Sequence, residues 1–388
     1  MRLRGAAFRG HVVPEMARLD EFRFLVRALR PIDPDERAVR RLRADLGEGG
    51  ISWQGVVELA SQQLVTPTLY QTLRDKGLLA ALPAEVRDYL EAVHTLNGAR
   101  NRRIADQMVE ITAALNRAGV EPVLLKGAAH LFADLHGDPA ARMIGDIDLL
   151  VSSEQIDRAA AALAGIGYRA AGIEDMSYAE HHHRPPLMRA DAVAPVELHT
   201  EPLFPAFGSL MSAQDVIGAA RPVTIAGQRA WLPSTRHQIV LNIAHTQLSD
   251  RHYWSGQVSL RALIDLVRLR AQPDAASVWP EILDAFDRGG HGAACRAYLM
   301  LAERLFGQAA PPGFRPSLAT RLACWRVELQ RRSPRLMAIG ASYGFYRAML
   351  AELAATPVAR RRVLNRLLHP DGYRRSLRSW RNHLSRAD

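Results

Sequence analysis

The segment 123–151 constrains the fold most, because two short apolar runs surround a glycine and an apolar-faced helix. The first run, residues 123–125, predicts a short buried strand that Lys126-Gly127 interrupts. Apolar residues at helical spacing then predict a helix over 128–135. A second apolar run predicts a strand over 143–151. The segment therefore predicts a strand–helix–strand unit.

The second predicted strand carries two acids, Asp146 and Asp148. Residues two positions apart on a strand share a face, so both carboxylates are expected on one face, opposite the apolar Ile147 and Leu149. Neighbouring carboxylates repel each other, and a divalent cation that prefers oxygen ligands, Mg²⁺ or Mn²⁺, removes that repulsion. Mg²⁺ held by one or two carboxylates usually takes further ligands from substrate phosphates. The acids therefore predict a metal site that acts on phosphates.

The start of the predicted helix supplies the second half of this predicted site. A helix N-terminus offers free N–H groups and a partial positive charge to phosphate, and Gly127 permits a close backbone approach. The chain has two lysines, Lys76 and Lys126, and the second stands next to this glycine. A phosphate contact and a structural lysine at a strand end are both open interpretations of Lys126.

Four motifs resemble those of an uncharacterised bacterial nucleotidyltransferase family of the DNA polymerase beta-like superfold: Leu125-Lys126-Gly127, Arg142, Asp146–Val151 and Glu197-Leu198-His199. The likeness runs through most of the chain, including its helical flanks. Ala128 stands where the wider superfamily has Ser or Gly, and the gap to the first acid is longer. The resemblance implies transfer of a nucleoside monophosphate from a nucleoside triphosphate, such as ATP, to an acceptor hydroxyl, with release of pyrophosphate.

The resemblance also implies roles for individual residues. Three acids would hold the metal ion, Mg²⁺ or Mn²⁺, and serve catalysis: Asp146, Asp148 and Glu197. Four residues would bind the nucleotide: Lys126, Gly127, Ala128 and Arg142. Glu197 would also accept the proton of the acceptor hydroxyl, and His199 would orient the acceptor or support an acid. A cross-strand ion pair for Glu197 and a purely structural role for His199 stay open.

Helical and mixed patterns divide the chain into three predicted parts. Residues 1–118 predict an N-terminal helical domain, 119–233 a nucleotidyltransferase core, and 234–388 a C-terminal helical domain with a basic tail. Further strands are expected after Gly167, over 194–200 and in a hairpin over 222–232. These patterns predict an α+β fold, in which a small mixed β-sheet is flanked by helical domains.

The net charge of +10 does not by itself indicate a nucleic-acid partner. Residues 359–388 hold nine Arg against two Asp, which gives +7 from the tail, and a solvated helix face is favoured there over RNA binding. No apolar run is long enough for a membrane span or a secretory signal, and the two cysteines have no metal spacing. We therefore expect a cytoplasmic protein.

Two other functions remain open from the sequence. A glycosyltransferase that uses sugar nucleotides can also hold a diphosphate through Asp-x-Asp, and Ala128 is compatible with a catalytically silent binding module. The sequence does not define the acceptor, which is a small molecule, a peptide, a protein or an RNA. The run His181–His183 is expected in a polar loop near the pocket. Core or pocket-lining positions, rather than metal ligation, are expected for three residues: His245, His252 and Asp265.

Overall fold

A computed structural model describes residues 19–30, 36–47, 51–170 and 183–355 of the chain. Residues 1–18, His181 and His182, and the basic tail therefore lie outside the described residues. Among the helices in these ranges, none combines the length and the apolar character that a membrane span requires.

Helices occupy the chain ahead of the sheet: α1 (Leu19–Leu29), α2 (Glu36–Gly47), α3 (Trp53–Gln62), α4 (Thr66–Asp75) and α5 (Ala84–Arg117). Ser52 precedes α3, and its hydroxyl accepts a hydrogen bond from the Gly55 N–H, which satisfies a donor at the helix start. The long helix α5 carries Ile104, Met108 and Ile111 into the core that it shares with the sheet. The helical pattern predicted for this region is confirmed.

The described residues form a seven-stranded mixed sheet in the order β3-β4-β5-β2-β1-β7-β6. Its strands are β1 (Val123–Leu124), β2 (Ile147–Leu150), β3 (Arg169–Ala170), β4 (Leu187–Met188), β5 (Val196–His199), β6 (Arg221–Ile225) and β7 (Gln228–Leu232). Three helices lie between them along the chain: α6 (Lys126–Phe132), α7 (Ile156–Gly165) and α8 (Ala213–Gly218). β2 pairs with β5, and β1 with β7, in parallel, whereas the other pairs are antiparallel. The predicted α+β class and mixed sheet are confirmed.

The hairpin predicted near the end of the sheet is present as β6 and β7. Its two-residue turn places Ala226 at φ 46° and Gly227 at φ 83°, both left-handed, as a tight hairpin between twisted strands requires. β7 of this hairpin pairs with β1, so the hairpin forms one edge of the sheet, with β6 outermost.

The interior of the sheet packs on α5 and α7. Ile147 and Leu149 of β2 are fully buried in one apolar cluster with Leu115 of α5 and Leu163 of α7. The apolar face that the alternation in β2 predicts is therefore confirmed. The opposite face carries Asp148, which points away from this cluster because neighbouring strand residues alternate in direction.

Two boundaries predicted from the sequence are wrong. The helix runs over Lys126–Phe132 rather than 128–135, and β2 begins at Ile147 rather than at residue 143. Side chains of α5 bind backbone carbonyl groups ahead of β2 and so replace strand pairing there: Arg100 donates to the Ile144 carbonyl. Asn97 and Asn101 both donate to the Arg142 carbonyl, at 3.1 and 2.8 Å. The segment ahead of β2 is thus an irregular, well-bonded loop.

Helices return after the sheet: α9 (Thr235–Ala244), α10 (His252–Ser255), α11 (Leu260–Arg270), α12 (Trp279–Arg288), α13 (Gly292–Phe306), α14 (Leu318–Gln330) and α15 (Pro334–Ala355), with a π-helical turn at His245–Ser249. The chain separates into two compact units. One unit comprises Asp20–Asp250 and Ser259–Leu322, and it contains the whole sheet; Arg251–Val258 and the described chain from Ala323 belong to the other. The three-part division expected from the sequence stays a prediction.

Candidate active site

The parallel pairing of β2 with β5 brings acids from two strands together. Asp148 lies directly opposite Glu197, and Leu150 opposite His199. Residues opposite each other on adjacent strands share a face, so Asp148, Glu197 and His199 lie on one side of the sheet. Each of the three offers a potential metal-ligand atom within 4.8 Å of those of the other two. The three residues and Lys126 are called the acid cluster below.

Asp148 is at the centre of the acid cluster and is fully buried. Its Oδ1 atom accepts hydrogen bonds from Lys126 Nζ at 2.8 Å and from His199 Nε2 at 2.9 Å. Its Oδ2 atom is buried and has no hydrogen-bond partner among the described residues. A buried carboxylate oxygen without a partner is costly, so this atom is suited to a ligand that the protein itself does not supply.

Charges within the acid cluster lower the pKa of Asp148 and raise the pKa of Lys126. Burial alone would raise the pKa of Asp148, but Lys126 and His199 outweigh burial and hold that pKa well below its usual range. Burial opposes the charged form of Lys126 as well, yet Asp148 raises the Lys126 pKa above its ordinary value. Both side chains are therefore charged at neutral pH, and they form a buried ion pair.

His199 and Glu197 extend the acid cluster. His199 Nε2 lies 3.6 Å from Glu197 Oε2, and contact with His199 lowers the pKa of Glu197 despite its partial burial. Burial would lower the pKa of His199, but its bonds to Asp148 and Glu197 raise that pKa overall. The Glu197 side chain is 19% exposed, whereas those of Asp148 and His199 are fully buried. Glu197 is thus an ionised acid with access to solvent.

Asp146 stands immediately ahead of β2 and is half-buried. It has no hydrogen bond or ion pair to another residue in the described ranges. Burial, and then the negative charge of Asp148, raise the Asp146 pKa above its ordinary value. The two acids therefore repel each other, as their spacing in the sequence predicts. Asp146 lies in the loop ahead of β2, however, and not on the strand.

Lys126 reaches Asp148 from an unusual backbone conformation at the start of α6. Its φ of +46° is left-handed, a region that non-glycine residues seldom occupy. Such strain costs of order 1–3 kcal/mol and persists where surrounding contacts enforce it, often at functional sites. The ion pair with Asp148 is one such contact. In this structure the Lys126 ammonium group contacts Asp148. Its predicted contact with a phosphate stays a prediction.

Gly127 is packed against the predicted arginine. A Cβ atom at this position would lie 2.8 Å from Arg142 Nη1 and 3.1 Å from Ile144 Cγ2, so the glycine permits a close approach of a side chain. The neighbouring Ala128 side chain is fully buried in the apolar core, so its contribution to a ligand would be limited to its backbone.

Arg142 is held by an acid that the sequence places 123 residues away. Its Nε and Nη2 atoms donate to the two carboxylate oxygens of Asp265 on α11, at 2.9–3.1 Å. The Asp265 carboxylate also contacts His136 Nε2 at 2.9 Å and lies 3.7 Å from His130 Nδ1. Burial would raise the pKa of Asp265, but Arg142 and His130 hold it well below its ordinary value.

The Asp265 group is a second set of residues whose ligand atoms are close enough for a metal ion: His130, His136 and Asp265. Sequence reasoning expected Asp265 at a core or pocket-lining position and did not identify His136 or its bond to this acid. The available signal was weak: Asp265 is the one acid in α11, on a face otherwise filled with apolar residues. A separate contact involves the acid cluster: His183, from the expected polar loop, packs against His199, and the two ring centres are 5.1 Å apart.

The fold and site together define an α+β protein with a carboxylate–lysine–histidine cluster on the central strands of a mixed sheet. Comparison with known families gives a more specific assignment. The chain belongs to a family described as uncharacterised nucleotidyltransferases, which it matches over residues 49–307. Searches of curated proteins and of solved structures found no match. The matched range contains all eight predicted site residues and Asp265, and the family indicates a transferase with a nucleotide substrate.

Proposed function

We propose that this protein is a metal-dependent nucleotidyltransferase, which moves a nucleoside monophosphate from a nucleoside triphosphate to an acceptor hydroxyl and releases pyrophosphate. The observation that carries the proposal is the Asp148 carboxylate, fully buried yet with its Oδ2 atom unpartnered among the described residues. Glu197 lies opposite on the next strand, and Asp146 adds a carboxylate with no hydrogen bond or ion pair among the described residues. Family membership supports the same reaction class.

The acid cluster has the donor set of a divalent cation site. Asp148, Glu197 and Asp146 would hold Mg²⁺ or Mn²⁺, which prefer carboxylate oxygens, and the unpartnered Oδ2 of Asp148 fits this role. When bound, the ion would neutralise charge on the phosphates and orient them for in-line displacement. His199 would then position Asp148 through its hydrogen bond and Glu197 through its contact at 3.6 Å.

Glu197 is the acid best placed to accept a proton. Its side chain is partly exposed and its lowered pKa keeps it ionised at neutral pH. A carboxylate in this state can accept the proton of an acceptor hydroxyl as that oxygen attacks the α-phosphorus. Asp148 is less suited to this step, because it is buried and its Oδ1 atom already accepts two hydrogen bonds.

The nucleotide is proposed to lie on the Lys126 side of the acid cluster. Lys126 is 21% exposed and ionised, so its ammonium can contact a phosphate as well as Asp148. Gly127 and Ala128 would contribute backbone groups. Arg142 stays a predicted phosphate contact, although its bidentate pairing with Asp265 makes the orientation of the loop its best-supported role.

A catalytically silent nucleotide-binding module is the second candidate, and the Lys126–Asp148 ion pair favours it. The ammonium already neutralises the buried acid, which reduces the need for a divalent cation. The two candidates differ in one respect that can be measured. The silent module binds nucleotide without covalent transfer, whereas the transferase releases pyrophosphate.

The test is label transfer from α-labelled nucleoside triphosphates, with Mg²⁺ and a cell extract as the source of acceptor. We expect labelled product with the wild-type chain and a loss of at least about 100-fold for Asp146→Asn, because the negative charge is removed while the shape is kept. Asp106→Asn, an exposed acid on α5, is the matched control and is expected to retain activity. Transfer that persists in both Asp146→Asn and Asp148→Asn would rule out the mechanism, and nucleotide binding without transfer would identify the silent module.

A further inference from the structure

Two arginines outside the sheet converge on the loop that precedes Asp146. Arg100 of α5 donates a hydrogen bond to the Ile144 carbonyl, and Arg261 of α11 donates to the Met143 carbonyl at 3.4 Å. Residues 100 and 261 are far apart in the sequence, yet their guanidinium groups bind adjacent peptide groups of one loop. The folded chain therefore collects positive charge on the loop that leads into Asp146.

Neither guanidinium group is ion-paired with a carboxylate in the part of the chain that the structure describes. Both residues are half-buried. Burial lowers the pKa of each group, and the neighbouring Arg142 adds to this effect for Arg261. Arginine stays protonated in proteins even so. Two positive charges are thus partly removed from water without a carboxylate partner, which is costly unless an anion binds.

Negative charge partly offsets the effect of burial on both groups: Asp146 does so for Arg100, and Asp265 and then Asp146 for Arg261. The two residues whose carbonyl groups they bind, Met143 and Ile144, lead directly to Asp146, the carboxylate that the proposed function assigns to the metal ion. Other nearby cations are already engaged, because Lys126 pairs with Asp148 and Arg142 with Asp265. Of these four cations, Arg100 and Arg261 are the two without a carboxylate partner among the described residues.

We propose that Arg100 and Arg261 bind the polyphosphate chain of the nucleotide, so that helices α5 and α11 complete a site whose acids come from the sheet. Guanidinium groups suit this role, because their planar N–H groups match phosphate oxygens in pairs. The carbonyl bonds fix one side of each group and leave other N–H groups for a ligand. The assignment of the ligand to a nucleotide rests on the proposed function, whereas the anion site follows from the two arginines.

The experiment is calorimetric titration of the full chain with inorganic tripolyphosphate, a nucleoside triphosphate and the corresponding monophosphate. Arg100→Gln and Arg261→Gln are each expected to weaken binding of both triphosphates by about 10-fold or more, because each removes a charged hydrogen-bond donor. The monophosphate should lose less, and Arg→Lys at either position should restore part of the affinity. Arg102→Gln, which changes an exposed arginine on α5, is the control and should bind like the wild type.

Arginine labelling with phenylglyoxal tests the same site in the unmodified protein, including the case in which a Gln variant does not fold. Tripolyphosphate is expected to protect Arg100 and Arg261 and to leave Arg102 reactive, as peptide mapping would show. Equal modification with and without tripolyphosphate overturns the proposal. So does an equal loss of affinity for monophosphate and triphosphate in the Gln variants, which would indicate a purely structural role.

The outcome separates this proposal from the proposed reaction. Label transfer by the wild-type chain, with unchanged triphosphate affinity in Arg100→Gln and Arg261→Gln, would overturn the arginine site alone. Tripolyphosphate binding that depends on both arginines, with no label transfer, would uphold the anion site and reject the reaction.

Discussion

At the scale of single residues, the site is dominated by how buried charges are paired. Asp148 is charged in a fully buried position because Lys126 and His199 both bind its Oδ1 atom. Removing one partner of a buried ion pair leaves an uncompensated charge, which costs more than the pair contributes. The stability of the protein and the properties of its site are therefore coupled at these residues.

Lys126→Met tests this coupling. The substitution keeps the length of the side chain but leaves the Asp148 carboxylate without its cation, so the free energy of unfolding should fall by about 3 kcal/mol. Because Mg²⁺ would replace the missing charge, part of this loss should be recovered when Mg²⁺ is added. Urea denaturation with and without Mg²⁺ measures both effects, and Arg103→Met, at an exposed position on α5, is the control. A Lys126→Met variant as stable as the wild type would contradict the buried pairing.

His130 gives the protein a dependence on pH. Burial lowers the pKa of His130 to about 3, and Arg142 and His136 act in the same direction while Asp265 opposes them. In the unfolded chain His130 binds a proton as the pH falls below about 6.5, whereas in the folded chain it stays neutral until about pH 3. The contribution of His130 to stability is therefore fully present above pH 6.5 and is lost as the pH falls toward 3. We expect a loss of about 2 kcal/mol between pH 7 and pH 5 from this residue.

Urea denaturation of the wild type and of His130→Asn over this pH range measures the contribution. Asp265, with its lowered pKa, and His237, with a pKa lowered to about 4, also favour the folded state at higher pH, and both are retained in the variant. The difference between the two proteins therefore measures His130 together with its effect on Asp265. Identical pH profiles would show that the imidazole accepts its proton in the folded state.

At the scale of elements, α11 and the loop ahead of β2 are joined by one bidentate ion pair. Asp265 lies on α11, and Arg142 extends from the loop across the space beside Gly127. The ion pair thus links a helix from the C-terminal half of the chain to the loop ahead of β2, next to Gly127 of α6. Asp265, which the sequence predicts at a core or pocket-lining position, thus positions the loop of the candidate site.

Asp265→Asn is expected to lower the free energy of unfolding by about 3 kcal/mol or more, because Arg142 and His136 lose their charged partner in a buried setting. Pairing the change with Arg142→Met should cost less than the sum of the two single substitutions, since the unpaired charges are then both absent. Thermal and urea denaturation in a double-mutant cycle measure this coupling. Asp284→Asn, which breaks the exposed Arg288–Asp284 pair, is the matched control and should cost at most about 1 kcal/mol. Additive effects at positions 142 and 265 would contradict the link.

These elements show which parts of the site the sequence could predict. The opposite faces taken by Asp148 and its apolar neighbours follow from strand alternation, and the hairpin follows from its glycine turn. The start of β2 did not follow, because Asn97 and Asn101 of α5 satisfy the backbone ahead of it. Contacts between side chains remote in sequence leave no local periodicity, so the partners of Arg142 could not be identified from a pattern.

At the scale of the whole molecule, the candidate site is assembled from segments spread over the larger compact unit. Arg100, Lys126, Asp148, Glu197 and Arg261 come from three helices and two strands of that unit. The unfolded chain cannot hold these groups together. Ligands of the site therefore bind the folded state and should raise its stability.

We expect Mg²⁺ with a nucleoside triphosphate at about 100 times its dissociation constant to stabilise the folded chain by about 2.7 kcal/mol. Differential scanning calorimetry measures the rise in the unfolding temperature. Asp148→Asn should abolish most of this rise, and Asp106→Asn, the exposed control on α5, should retain it. An equal rise in Asp148→Asn would place the ligand elsewhere on the molecule.

The pairing of Lys126 with Asp148 has a consequence for the order in which ligands are loaded. Because Lys126 already neutralises the fully buried Asp148, a Mg²⁺ ion that binds as proposed would compete with an ammonium group tethered to the same chain. A nucleotide offers that ammonium group other oxygens to bind, so it lowers the cost of exchange. Metal and nucleotide should accordingly enter as one complex, and Mg²⁺ alone should load the protein poorly.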